Sequence, residues 1–386
     1  MADQGAHLSG DRKGYGRLSV FFGGAMEKLS GMLYELNRNR DCGEVGKSYA
    51  LVGLGENKEE DISVPSSYEG LPVVAVNLSG GKIAPWVRSL SLPDTVKEYR
   101  CDPSVLPNLQ AIHKKPLNQK ANHLYSKDGI LFYGHIDRAS TCLVSYPPNH
   151  LGETFEMAEK TYLGRAAFSG ARSLKSISLP LSLHIIPENC FRGCANLESL
   201  DVPKNVMAIE AGAFRGCSNL RAITFHAEES DMGLTTIGPN AFSGCLHLEE
   251  LHIPGTLKSM DLSALDDLPS LRVLQADYSG YETIDGVLFG NDFFGHPVHL
   301  MYYPACKEEA DGVYYVPEGT KFLRRGCFAQ AKKIHSVVLP LSIQMIEEGA
   351  FASSNVESLL FLGDEQAWEQ VDKTGIPQGM KTRFKP

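Results

Sequence analysis

A phenylalanine recurs along this sequence at a fixed interval. Phe168, Phe191 and Phe214 lie 23 residues apart, and the interval from Phe328 to Phe351 is again 23 residues. A small residue precedes each of them, apolar residues follow at fixed offsets, and a proline lies 12 residues later in most units. A period of roughly 20–50 residues is typical of repeat architectures, in which stacked turns bury apolar residues that one turn cannot bury alone. The sequence therefore predicts a stack of similar turns with a phenylalanine column inside.

Each repeat contains a short strand that ends at a proline. Leu200 and Val202 are two residues apart, so they share one face of a strand, and the residue between them points to the opposite face. Pro203 follows directly and ends the strand, because its nitrogen carries no hydrogen for the sheet. We predict a mainly β repeat solenoid, a right-handed superhelix with one short parallel strand in each turn of about 23 residues.

Two longer units interrupt the repeats, near residues 125–147 and 281–304. Both contain Asp-Gly followed by an apolar run, a polar or glycine-containing tip, and then Leu-x-x-Tyr-Pro. Two apolar runs around turn residues are typical of a β-hairpin, so we predict a hairpin insertion in each unit. From residue 363, the sequence Gly-Asp-Glu-Gln-Ala-Trp predicts a helix start that caps the end of the stack.

The first 45 residues have a different pattern, and we predict an N-terminal tail before a solenoid of residues 46–386. Apolar residues recur with helical spacing at Met26, Leu29, Leu33 and Leu36, with charged residues between them. This spacing predicts a short amphipathic helix that covers the end of the core, or alternatively binds a membrane or a partner. Residues 1–25 are too polar, and their apolar stretch is too short, to predict a secretory signal peptide.

The combined pattern resembles that of the BspA-like leucine-rich repeat family, whose members are mostly bacterial cell-surface or secreted proteins. The resemblance rests on the Ala-Phe-x-Gly-Cys-x-x-Leu repeats, the two Asp-Gly inserts, the closing Gly-Asp-Glu-Gln-Ala-Trp and an opening hairpin, and it covers about residues 46–375. It implies a leucine-rich-repeat solenoid at the cell surface or secreted, and binding to host or matrix proteins. The lack of a predicted signal peptide leaves a cytoplasmic location open.

Charge and hydropathy exclude two kinds of partner. Lys and Arg number 37 against 46 Asp and Glu, which gives a net charge of −9 without any basic cluster in the sequence. Such a chain repels phosphate, so we expect no nucleic-acid partner. The apolar runs are all shorter than the roughly 18 residues that cross a bilayer, so we expect no membrane span.

The cysteines occupy repeat positions. Cys194, Cys217 and Cys245 each lie three residues after a phenylalanine, so stacking of the turns would bring them together. A ladder of this kind could bind metal or form disulfides, but Ala171 and Ala331 take the same position in other repeats. A position that accepts cysteine or alanine favours a small apolar side chain, which free cysteine provides. We therefore expect free thiols in the core, with no metal and no cofactor.

The sequence contains no catalytic constellation. Phosphate-binding glycine loops, the Gly-x-Ser-x-Gly nucleophile motif and the His-Glu-x-x-His zinc motif are absent. His296 and His299 have a spacing that could hold a metal ion, but no third ligand lies near them, which favours a pair of solvated side chains. We predict no catalytic residues and a protein that is not an enzyme.

The outward strand positions form the candidate binding surface. A solenoid sheet with one open face offers an extended surface, which repeat proteins use for binding. The alternative is an ordinary solvated surface. The predicted ligand-binding residues are Ser176, Ser178, Ser199, Asp201, Thr224, Glu250, His252 and Gln275, and the outward row continues to Ser336 and Val338.

These patterns predict a non-catalytic binding protein that recognises a protein partner, with a glycan as a second kind of ligand. One alternative is a structural spacer with no specific ligand, and a less favoured one is a hydrolase or glycan-binding module. Aromatic residues near the second insert could bind such a ligand or could pack the insert against the stack. They are Tyr278, Tyr281, Phe293, Phe294, Tyr302 and Tyr303.

Overall fold

The chain forms a solenoid in which strands of successive turns pair side by side. The computed structural model describes residues 27–29, 32–36, 46–114, 123–135, 140–226, 233–276, 278 and 280–385. The first strands are β1 (Glu27–Leu29), β2 (Met32–Leu36), β3 (Tyr49–Gly53), β4 (Asp61–Ser63), β5 (Ser67–Tyr68), β6 (Leu71–Leu78), β7 (Ser89–Ser91), β8 (Glu98–Cys101) and β9 (Ala111–His113). The first insert and the turn after it contain β10 (His123–Lys127), β11 (Ile130–His135), β12 (Ser140–Ser145), β13 (Thr154–Glu156) and β14 (Thr161–Leu163).

The regular repeats follow, and short strands alternate along them. They contain β15 (Ser176–Ser178), β16 (Ile185–Ile186), β17 (Ser199–Val202), β18 (Ala208–Ile209), β19 (Ala222–Phe225), β20 (Thr236–Ile237), β21 (Glu250–Ile253), β22 (Ser259–Met260) and β23 (Val273–Ala276). The second insert and the last repeats contain β24 (Tyr281–Ile284), β25 (Val287–Asn291), β26 (Pro297–Tyr302), β27 (Val313–Tyr315), β28 (Phe322–Leu323), β29 (Ser336–Leu339), β30 (Met345–Ile346), β31 (Ser358–Phe361), helix α1 (Glu365–Glu369) and β32 (Lys381–Phe384).

Two sets of strands run along the solenoid; each set is divided into groups, and within a group the strands of successive turns pair in parallel. The first ladder, which the proline-ended strands predict, consists of β4, β7, β9, β13, β15, β17, β19, β21, β23, β27, β29, β31 and β32. The second ladder lies on the other side of each turn and consists of β6, β8, β12, β14, β16, β18, β20, β22, β26, β28 and β30. Leu200 of β17 pairs with Ile223 of β19, one repeat later. The predicted parallel solenoid is confirmed, and its regular turns carry a second, shorter strand besides the predicted one.

Each insert is a three-stranded antiparallel unit whose last strand rejoins the second ladder. Strands β10, β11 and β12 are antiparallel neighbours, and β12 then pairs parallel with β14. Strands β24, β25 and β26 repeat this arrangement, with β26 parallel to β28. The Asp-Gly pairs make the tight turns, because Asp128 and Gly129 have φ of 52° and 79°, and Asp285 and Gly286 have 48° and 74°. Two successive positive φ angles match the hairpin turn that Asp-Gly favours.

The predicted N-terminal amphipathic helix is wrong where the structure describes the chain. Strands β1 and β2 are antiparallel, and β2 pairs with β3, so a sheet takes the place of the helix. In β2 the buried residues are Met32 and Tyr34, which are two apart, whereas Leu36 of the helical stripe is exposed. The ring of Tyr34 stacks on that of Tyr68 at 4.4 Å. The alternation of buried and less buried residues over the five residues of β2 therefore overrides the helical spacing. Met26, the first residue of the predicted helix, lies outside the described residues.

A column of stacked aromatic rings forms the interior of the solenoid. The ring centroids of successive phenylalanines lie 5.2 Å apart between Phe168 and Phe191, 5.4 Å to Phe214 and 5.7 Å to Phe242, with nearly parallel planes. Phe328 and Phe351 stack in the same way at 5.2 Å. All of these side chains are buried. The predicted phenylalanine column is confirmed, and Leu265 continues it as a buried residue one repeat after Phe242.

Two tyrosines extend the column where the inserts rejoin the stack. Tyr146 packs on Phe168 at 5.1 Å, and Tyr303 packs on Phe328 at 5.3 Å. The backbone N–H of Tyr146 donates to the carbonyl of Ala167 at 2.7 Å, and that of Tyr303 donates to Cys327 at 2.7 Å. The phenylalanines make the same bond to the next turn, as Phe191 does to Ala213. The Tyr-Pro motif of each insert is therefore the first phenylalanine-type position of the following block of repeats.

The terminal helix covers the last turn. Asp364 accepts a hydrogen bond from the N–H of Ala367 at 2.8 Å and so caps the start of α1. Trp368 on this helix is nearly buried and packs on Phe361, with ring centroids 4.9 Å apart, and on Phe384 at 6.2 Å. The predicted C-terminal cap is thus present, with a strand, β32, after it.

Candidate functional site

The predicted ligand-binding residues all lie on the outward side of the first ladder. Buried residues such as Ile177, Leu200 and Leu251 alternate with them along the same strands and face the core. Pairing brings Asp201 beside Thr224, since β17 and β19 are in parallel register. The exposed positions are Ser176 and Ser178 on β15, Ser199 and Asp201 on β17, Thr224 on β19, Glu250 and His252 on β21, and Gln275 on β23. We name this surface the ladder face.

In β29, farther along the first ladder, the positions that are predicted to face outward are no longer exposed. Ser336 is half-buried, and Val338, which the sequence analysis places in the outward row, is buried. Three consecutive residues of β29, Val337 to Leu339, are buried, so the strand does not alternate there. Every strand that carries a predicted binding residue, from β15 to β23, presents at least one exposed outward side chain.

A groove lies at the N-terminal end of the ladder face. Its lining mixes polar residues, among them Ser178, Asp201 and Lys204, with apolar ones such as Ile177 and Leu181, and its volume is about 540 Å³. His226 also lines the groove, and its Nε2 lies 3.8 Å from Oδ1 of Asp201. Most repeats have proline at the position of His226, so a polar side chain stands here in place of the usual ring.

A charged network covers the other end of the ladder face. The guanidinium of Arg272 donates to Glu250 at 2.7 Å and to Glu249 at 3.3 Å. His252 lies 3.5 Å from the carboxylate of Glu250, and its Nδ1 lies 3.1 Å from Oε1 of Gln275. These groups are about half exposed, and exposed ion pairs of this kind contribute only about 0–1 kcal/mol to stability. The network can therefore exchange its internal contacts for contacts with a partner.

The residue that precedes each strand of the ladder face is also charged, although strand alternation does not single it out. These residues alternate in charge from turn to turn, which is the signal that could have identified them. Lys175 reaches back to Glu153 at 2.9 Å, and Arg272 reaches back to Glu249. The column consists of Lys175, Glu198, Arg221, Glu249 and Arg272. It places a line of exposed charges along one border of the ladder face.

The aromatic residues of the second insert divide into two groups. Tyr278 and Tyr303 are buried and Tyr281 and Tyr302 are half-buried, so these four pack the insert against the stack. Tyr278 and Tyr281 stack on each other at 4.8 Å. The other two aromatics, Phe293 and Phe294, are 96% and 80% exposed at the tip of the insert. The tyrosines therefore do not form the aromatic patch that a glycan would stack on.

The cysteines three residues after the phenylalanines are buried donors in the core. The thiol of Cys194 donates to the carbonyl of Phe168 at 3.0 Å, that of Cys217 to Phe191 at 3.0 Å, and that of Cys245 to Phe214 at 3.3 Å. Burial raises the pKa of the Cys217 and Cys245 thiols well above its ordinary range, so both stay protonated at neutral pH. Free thiols in the core are what the alternation with alanine predicts.

Potential metal ligands do not cluster in the described part of the chain, where no three His, Cys, Asp or Glu side chains meet with suitable geometry. His296 is exposed beside Asp292, with 3.5 Å between Nδ1 and Oδ2. His299 stacks on Phe322 at 4.7 Å, and burial together with the positive charge of Arg324 lowers its pKa. The two histidines therefore lie in different surroundings.

Two parallel ladders, a leucine-rich strand in each turn and an aromatic column inside define a leucine-rich-repeat solenoid. Residues 153–285 and 314–368 match the family model described as the BspA type leucine rich repeat region, in six copies. The predicted resemblance to the BspA-like family is thereby confirmed, and these residues are BspA-type leucine-rich repeats. A search of curated proteins gives no match.

Solved structures of bacterial leucine-rich repeat proteins are similar in fold. A protein from Eubacterium ventriosum is 18% identical, with a TM-score of 0.50 over 77% of this chain and 65% of that one. A leucine rich cell surface protein from Faecalibacterium prausnitzii is 15% identical, with a TM-score of 0.46 over 92% and 99% of the two chains. A protein from Bacteroides ovatus is 15% identical, with a TM-score of 0.44 over 93% and 99%. At these identities the likeness concerns the fold alone.

The helices that the structure describes are too short, or too polar, to span a membrane.

Proposed function

We propose that this chain is a non-catalytic binding protein of the cell surface that captures a protein partner through the ladder face. The observation that carries the proposal is the row of exposed, mostly polar and charged side chains on the strands from β15 to β23. Strand β17 pairs in register with β19, and β21 with β23, so the side chains on each pair have fixed spacing and little conformational freedom to lose on binding. The resemblance to the BspA-like family supports the cell-surface location.

The chemistry of the ladder face favours a protein ligand over a glycan. Serine and threonine predominate from β15 to β19, and acidic residues, histidine and arginine predominate from β21 to β23. Carboxylate, imidazole and guanidinium groups make the charge-assisted hydrogen bonds that distinguish one protein surface from another. The exposed aromatics lie at the insert tip, between β25 and β26, and not on the strands that carry this row.

The test replaces Asp201, Glu250, His252 and Gln275 together by alanine. Immobilised fibronectin, laminin and fibrinogen serve as candidate partners, and binding is measured by surface plasmon resonance. We expect the variant to lose at least about tenfold in affinity for a partner that the unmodified protein binds, since four contacts of up to about 1 kcal/mol each are removed. Its melting temperature should stay unchanged, because these side chains are exposed.

A matched control variant replaces Thr236, Lys258 and Ser259, which are exposed on or beside the second ladder. This control should bind like the unmodified protein. Equal binding by the ladder-face variant would rule out this surface as the site. If the unmodified protein binds no component of host matrix extracts, the spacer alternative is supported instead.

A further inference from the structure

A cleft interrupts the second ladder between β8 and β12. Strand β8 pairs with β6, and β12 pairs with β11 and β14, while no pairing joins β8 to β12 in the described residues. One wall of the cleft consists of residues 98–103, and the other includes Ser145 and Arg165. The cleft has a volume of about 600 Å³. A smaller hollow of about 200 Å³ shares Asp102, Ser169 and Arg192 with it and extends it toward Arg172.

The first insert explains why the cleft exists. In the regular repeats, each strand of the second ladder pairs with the next, as β16, β18, β20 and β22 do. At the first insert, β11 occupies the edge of β12 that would otherwise pair with the preceding turn. The edge of β8 that faces away from β6 therefore borders the cleft.

The cleft has the opposite charge to the molecule as a whole. Its lining contains four arginines and two carboxylates, a local net charge of +2, whereas the chain carries −9. Arg100 pairs with Glu98 at 2.6 Å, and Arg165 pairs with Glu188. The side chains of Arg172 and Arg192 are exposed and make no ion pair with any residue in the described ranges. Two guanidinium groups are thus free to bind an incoming anion.

We propose that this cleft binds an extended acidic segment of a protein partner. Arginine presents its N–H groups in a planar fork that matches a carboxylate, so Arg172 and Arg192 suit glutamate or aspartate side chains. An extended chain fits because the cleft follows consecutive residues of an edge strand, and peptides commonly bind along such edges.

The two carboxylates in the lining distinguish a peptide from a uniform polyanion. Glu98 and Asp102 lie among the arginines, and Asp102 is held there by hydrogen bonds from Ser104, with donor distances of 2.9 and 2.7 Å. A sulfated polysaccharide or a nucleic acid would place negative charge against both carboxylates. A peptide can place an uncharged residue opposite them and its acidic residues opposite the arginines.

The experiment uses a short fluorescein-labelled peptide of alternating glutamate and threonine, titrated with the full chain and followed by fluorescence anisotropy at low salt. We expect saturable binding that weakens as sodium chloride is added, since the contacts are exposed charge pairs. The double variant R172Q/R192Q should bind about tenfold more weakly, because it loses two guanidinium–carboxylate pairs with the peptide. Circular dichroism verifies that the variant is folded.

The matched control R88Q/R383Q removes the same charge from exposed positions outside the cleft and should leave peptide binding unchanged. The proposal is overturned if R172Q/R192Q binds like the unmodified protein, or if a glutamine–threonine peptide binds as tightly as the acidic one. It is also overturned if heparin binds through Arg172 and Arg192 while the acidic peptide does not bind. The ladder-face variant should keep its peptide affinity, so failure here and failure of the proposed function are distinguishable.

Discussion

At the scale of single residues, the aromatic column sets what each turn of the solenoid can tolerate. Its rings stack at 5.2–5.7 Å between Phe168 and Phe242, which is close to the roughly 4.8 Å separation of neighbouring strands. Each ring therefore contacts the rings of the turns before and after it. A change in one turn removes packing from three turns at once.

Replacement of Phe214 by alanine should destabilise the protein by about 3–5 kcal/mol, because the side chain is fully buried and the cavity lies between two stacked rings. Urea unfolding followed by circular dichroism measures the loss. Phe294→Ala is the control, since that ring is 80% exposed, and its effect should stay within about 0.5 kcal/mol. Equal effects of the two substitutions would contradict the structural role of the column.

The backbone explains a second residue-level constraint, two positions after each phenylalanine. Gly170, Gly193, Gly216 and Gly244 have φ between 69° and 75°, a region that suits glycine. Three other repeats have a different residue at this position, and its φ is still positive. Asp267 has 55°, Gln330 has 63° and Ser353 has 55°. The fold therefore imposes the left-handed conformation even where the sequence no longer supplies glycine.

At the scale of elements, the sequence predicts a strand well when the same strand recurs in other repeats. Prediction fails for strands that have no such copy. The first-ladder strands recur with the same spacing, so comparison among repeats identifies them. Strand β2 does not recur in any repeat. From the sequence alone, Leu29, Leu33 and Leu36 therefore form a helical stripe, and only the pairing of β2 with β3 shows a strand. The second-ladder strands contain two residues each in the regular repeats, which is too short for an alternating pattern to show.

The terminal helix is the element with the clearest separate role, because it covers the last turn. Replacement of Trp368 by alanine should expose the side of Phe361 and destabilise the last turns by about 3–5 kcal/mol. Hydrogen exchange with mass spectrometry should show faster exchange in β31 and β32, while β15 to β23 exchange as before. Faster exchange along the whole chain, or no change in β31, would contradict a local capping role.

At the scale of the whole molecule, the candidate site could be predicted only in part. Its eight outward residues follow from strand alternation, which is why all of them are exposed. The cleft arginines could not be predicted as part of a site, because Arg100 and Arg192 come from turns that the first insert separates in sequence. Strand alternation predicts which side chains of a strand face outward. It does not predict which turns lie side by side across a cleft, because that depends on the three-dimensional path of the chain.

The two inserts join the solenoid at equivalent positions, so the segment between them can be removed as one unit. Tyr146 and Tyr303 occupy equivalent places, since Asn149 donates to Leu109 at 2.9 Å and Cys306 donates to Leu271 at 2.8 Å in the same relative positions. Deletion of residues 147–303 should therefore join matching ends and yield a shorter protein that still unfolds cooperatively in circular dichroism. A deletion of residues 147–293 joins mismatched ends and should give an aggregated or unfolded chain. If both deletions behave alike, the two tyrosines are not interchangeable junctions, and the length of this protein is not adjustable in whole modules.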